Sequence, residues 1–157
     1  MKLIRVTKGN LLFQLGKREK NLLIQVLGLY PRIPPSNFRL SKSSQLPDAE
    51  ANQRLLDESL AEQRAANRKT LQAFLTDSRR FTDTESGPRL SMSPSELEWL
   101  LQILNDVRVG SWIILGSPEQ GMELKLLNEK TAPDFWAMEM SGQFQMRFLE
   151  ALEKREV

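Results

Sequence analysis

Four polar side chains are set into otherwise apolar stretches of this sequence: Asn105, Asp106 and Arg108 beside Leu104, Val107 and Val109, and Glu139 between Met138 and Met140. A buried charge without a partner is costly, so such groups are paired, turned to the surface, or gathered into a polar pocket. Asp106 is too near Arg108 in sequence to face it, which leaves Glu139 as the expected counter-charge. Asn105, Asp106, Arg108 and Glu139 are therefore the candidate polar pocket. The chain holds no histidine and no cysteine. That excludes Ser-His-Asp hydrolysis, imidazole proton transfer, thiol nucleophiles and metal sites built on thiolate or imidazole. Carboxylate and lysine chemistry remain. Glu58 and Glu62, one turn apart, are an acidic pair of the kind common on solvated helices rather than a magnesium site. Gly116-Ser117-Pro118-Glu119-Gln120-Gly121 lacks the lysine and hydroxyl of a phosphate loop. No catalytic residue, metal or cofactor is expected, and the chain reads as a non-enzyme.

Two further groups could meet a partner. Residues 1–47 hold nine Lys or Arg against the single acid Glu19, and the rest of the chain holds thirteen against nineteen. Arg5, Lys8, Lys17, Arg18, Lys20, Arg32, Arg39 and Lys42, with Tyr30 and Phe38 among them, form a candidate basic surface: cations for phosphates and aromatics for stacking. The competing expectation is that this basic end docks on the acidic remainder of the same chain. The second group is Trp112, Ile113, Ile114 and Leu115. Adjacent apolar residues on a helix point in nearly every direction, so they need more cover than a small core gives. They are the candidate interaction surface, covered either by a second copy in a homodimer or by the chain's own hairpin face Leu11, Phe13 and Leu15.

The elements that must position these groups follow from periodicity. Lys2–Thr7 and Leu11–Leu15 flank Lys8-Gly9-Asn10 and read as a β-hairpin. A first helix runs from Lys17 to Tyr30, ended by Pro31. Pro31–Pro47 carries four prolines and reads as an extended connection, either mobile or functional. A long helix follows from Asp48 to about Arg80, its apolar stripe interrupted by Gln63 and Asn67, and Thr82–Pro88 reads as a turn-rich break. Ser93, Pro94 and Glu96 form a capping box that starts the third helix, with Met92 stapled onto Leu97, and Gly116-Ser117-Pro118 stops it. Thr131 and Asp134 predict the cap of a fourth helix carrying Trp136, Met140, Phe144, Phe148 and Leu152. Gly110-Ser111 and Ser141-Gly142 permit close approach where the third and fourth helices cross. The expected fold is mainly α, an N-terminal β-hairpin packed on a four-helix core, in a single domain over residues 1–157.

This arrangement, with Asn67-Arg68-Lys69 in the long helix, the run Trp99 to Val109 and a closing Trp136–Leu152 helix, resembles an uncharacterised bacterial domain-of-unknown-function family. Its most specific part is Leu104-Asn105-Asp106-Val107-Arg108. Members of that family are often encoded beside the adaptor of the Clp protease and a sulfur-carrier cluster, and the resemblance implies the same fold, a cytoplasmic location and a link to proteolysis or regulation. No apolar run approaches the ~18 residues of a membrane span, and the start of the chain lacks a signal-peptide pattern, which likewise points to the cytoplasm and away from a membrane. The expected function is a non-catalytic protein-interaction or regulatory module. The alternative is a weak nucleic-acid binder that uses the basic first 47 residues.

Overall fold

The computed structural model describes residues 1–33 and 48–156. Strands β1 (Lys2–Thr7) and β2 (Asn10–Gln14) form the expected hairpin, Thr7 facing Asn10 across a turn in which Gly9 takes a positive φ of 84°. Helix α1 (Lys17–Leu27) starts where Glu19 accepts the Gly16 amide at 3.2 Å, and it ends at Gly28, short of Tyr30. Helix α2 spans Ala49–Thr76. The segment expected to be a break holds two strands instead, β3 (Phe81–Thr84) and β4 (Gly87–Met92). Helices α3 (Pro94–Ile114), the single-turn α4 (Glu123–Leu126) and α5 (Ala132–Glu156) complete the chain.

The hairpin is thus half of a four-stranded antiparallel sheet ordered β1-β2-β4-β3. Its central seam pairs Leu11 with Met92 and Phe13 with Leu90. Alternation sorts the strands into two faces. Leu11, Phe13, Leu90 and Met92 point inward and are buried, and the Phe13 ring meets Phe148 of α5 edge-on at 5.3 Å. Helix α5 lies against β1, α1 against β4, and α3 packs on both helices. Leu23, Val26, Leu100, Ile103, Leu104, Val107 and Phe144 are fully buried in the core that results. The protein is mainly helical, as expected, but the helices share the core with one face of the sheet. Helix α2, the longest, contributes only Leu71 and Phe74 as buried residues. Among the described residues no helix is long and apolar enough to cross a membrane.

Two local expectations change. Thr131 and Asp134 do not form a capping box: the Thr131 hydroxyl donates to the carbonyls of Leu126 and Asn128, and the Asp134 carboxylate receives the Arg32 guanidinium. Gly110 is approached not by α5 but by the chain that leaves α1, since a Cβ at Gly110 would lie 2.4 Å from the Arg32 carbonyl oxygen. Gly142 does sit at the α3–α5 crossing, where the Arg108 side chain lies over it.

Candidate functional site

The candidate polar pocket does not assemble around an Arg108–Glu139 pair. Arg108 is exposed, lays its stem over Gly142 and donates to Asn105 one turn back at 2.9 Å. Glu139 is also exposed and joins no ion pair among the described residues. A surface arginine gives up little by bonding an amide, so no buried acid is required to hold it. Asp106 points another way. Loss of water around its carboxyl raises its pKa above the ordinary aspartate value, with Arg64 of α2 pulling it back down.

The polar network that does assemble lies about two turns further back along α3 and ties α2 and α3 to the segment after α1. Asn67 of α2 donates to the Tyr30 hydroxyl at 3.2 Å and accepts the Trp99 indole N–H at 3.2 Å. An amide offers both a donor and an acceptor, which suits it to stand between a hydroxyl and an indole. This is why the apolar stripe of α2 is interrupted at Asn67. Beside it, the last turn of α2 and the first turns of α3 enclose a groove of about 370 Å³. Its floor is the Arg80 guanidinium, which grips Glu96 with two bonds of 2.6 and 3.0 Å, donates to the Ser91 carbonyl at 3.0 Å and stacks 4.3 Å above the Phe74 ring. Burial pushes the Glu96 carboxyl up, but the bonds from Arg80 and Ser93 outweigh it and the net shift is downward. The backbone N–H and side chain of Arg79 lower Asp77 on the opposite wall. Both acids are therefore ionised at neutral pH, and neither can lend a proton there. Sequence reasoning passed over this groove because its residues come from α2, the turn that follows it and α3, in no recognisable spacing.

The basic set is divided rather than gathered. Arg5, Lys8, Lys17 and Arg18 are exposed. Lys20 lies 5.0 Å over the Phe81 ring, and Arg32 is held by Asp134. Tyr30 is only 6% exposed and cannot stack on a base. Phe38, Arg39, Lys42 and most of the expected 31–47 connection lie outside the described residues. Docking of the basic end on the acidic remainder is realised at Arg32 and Asp134. Glu19, the one acid of the basic segment, is itself taken by the Met1 amino group and by Arg147.

The end of α3 stands open. Trp112 is 40% exposed, with its indole N–H on the Pro118 carbonyl at 3.0 Å. Ile113, Ile114 and Leu115 are half-buried, and none of the four belongs to the hydrophobic core or packs against it. The hairpin face Leu11, Phe13 and Leu15 is spent on the core itself, so it does not cover these four residues. The chain that bridges α3 to α5 adds exposed Met122, Leu126 and Leu127, and Trp136 is exposed on the first turns of α5. No family model, no curated protein and no solved structure matches this chain.

Proposed function

We propose that this chain is a non-catalytic protein-interaction or regulatory module that receives its partner on the end of α3. The observation that carries this reading is that Trp112, Ile113, Ile114 and Leu115 lie outside the core, with further exposed apolar side chains on the segment that follows. Exposed apolar side chains gathered in this way are characteristic of protein docking sites. The first partner to expect is a second copy, forming a two-fold dimer. A family link to the bacterial group encoded beside the Clp adaptor fits a regulatory role. That link rests on the sequence resemblance of Leu104-Asn105-Asp106-Val107-Arg108.

Sedimentation of the purified chain up to tens of micromolar is expected to show the dimer, and Ile114→Lys to return a folded monomer, because a charge in an apolar interface costs more than the contacts it replaces. A photo-cross-linker at Trp112, compared with one at the exposed Glu150, is expected to yield a defined adduct in cytoplasmic extract. A monomeric chain that gives no adduct at Trp112 would refute the reading.

A further inference from the structure

The sheet has a second face, and its composition follows from the register. Pairs Lys2–Gln14, Gln14–Arg89 and Arg89–Thr82 run across all four strands in one row, and Arg5–Leu12–Ser91 runs in the next. Thr7–Asn10 and Thr84–Gly87 close the ends. Because their neighbours Phe13, Leu90 and Met92 are buried beneath the sheet, these rows face away from the helices. The outward face therefore offers three cations, Lys2, Arg5 and Arg89, among hydroxyls and amides, and no carboxylate.

One of these cations is held ready. Arg89 donates through Nε to the Gln14 carboxamide oxygen at 3.1 Å, and Gln14 is itself fixed to the Pro88 and Ser86 carbonyls at 3.1 and 3.2 Å. This leaves the two terminal nitrogens of Arg89 without a partner among the described residues. Lys8 in the hairpin turn and Lys17 and Arg18 at the start of α1 are exposed around the same strands. Glu19, which would oppose them, is neutralised by the Met1 amino group and Arg147. Asp83 pairs with the buried Pro88 and so falls on the inner side of the edge strand, where it is exposed, and with Glu85 in the β3–β4 turn it is an acid at the margin rather than on the outward face.

We propose that this outer sheet face binds the phosphate backbone of a double-stranded nucleic acid. A row of donors without acids is complementary to a polyanion. A duplex is favoured over a single strand because no aromatic residue stands in the outward rows, so the face can hold phosphates but has no platform on which unpaired bases would stack. The surface is carried by different residues from the apolar end of α3, which lies some 30 Å away along a helix of this length.

The test is fluorescence anisotropy of the full chain with a labelled duplex over a range of salt. Lys2→Gln and Arg5→Gln, both on exposed positions, are each expected to lower the slope of log affinity against log salt by roughly one. Arg89→Gln is expected to do the same, with circular dichroism reporting that the sheet is intact. Lys125→Gln and Lys130→Gln, beyond the far end of α3, are expected to change nothing. The proposal is overturned if the duplex is not bound at low salt, if the far-end variants weaken binding equally, if a single strand of the same length binds more tightly, or if polyglutamate competes as well as the duplex.

Discussion

Ser93 and Glu96 exchange two bonds, the Ser93 hydroxyl accepting the Glu96 amide at 3.1 Å and the Glu96 carboxylate accepting the Ser93 amide at 2.8 Å. Replacing Ser93 with Ala is expected to cost about 1 kcal/mol, read as a lower denaturant midpoint at unchanged slope. Glu96 also grips Arg80, so this one carboxylate caps α3 and fixes the entry to β3. Asp106 is the contrasting case. Its folded pKa lies above the unfolded value, which means that the fold disfavours its ionised form. That cost is present at pH above the folded pKa and disappears as the pH falls below the unfolded one. Asp106→Asn is therefore expected to raise stability at neutral pH and to match the parent protein in acid, as followed by urea unfolding at both. A lower stability at neutral pH would mean that attraction to Arg64 dominates.

At the scale of elements, the two small-residue sites differ in what touches them. A methyl at Gly110 would strike the Arg32 backbone, which cannot retreat without losing the Arg32–Asp134 pair and the strap that carries Tyr30. Gly110→Ala is expected to destabilise by about 1–3 kcal/mol, the usual cost of overpacking. At Gly142 the nearest atom is the Arg108 Cδ at 3.4 Å, on a flexible and exposed stem. Gly142→Ala is expected to be neutral or to gain up to ~1 kcal/mol of helix propensity. Thermal melts of the pair check both. Much of this was legible in the sequence: the Ser93 box, the start of each long helix and the first hairpin are local signals. Strands β3 and β4 were not, because Thr82, Asp83, Gly87 and Pro88 are turn-forming types and β3 is only four residues long. What makes β4 a strand is pairing with β2, a partner more than seventy positions away, and β3 is a strand only because it pairs in turn with β4. The Arg108–Glu139 pairing failed for a related reason, since helical spacing says which residues share a face but not which face is covered. Asn67 was visible only as an interruption of a stripe, and its bonds to Tyr30 and Trp99 needed the fold to bring them together.

At the scale of the whole molecule, the two proposed partner surfaces fall toward opposite ends of α3: a sheet whose outward rows carry no acid where the helix begins, and an apolar end where it stops. The order β1-β2-β4-β3 sets a further condition on how this body forms. The central seam joins Gln14 to Arg89 across 75 positions, so the first hairpin cannot be completed by anything that emerges near it. Closing so long a loop is entropically expensive and slow compared with forming a hairpin or a helix. During synthesis at roughly 5–20 residues per second, the bonding edge of β2 and the side chains of Leu11, Phe13 and Leu15 wait several seconds for β4. In that interval they are an unpaired strand edge with an apolar face, the kind of surface that pairs with other nascent chains. With nine lysines and arginines against one acid in the first 47 residues, nascent chains carry like charge there, which opposes such pairing until β4 arrives.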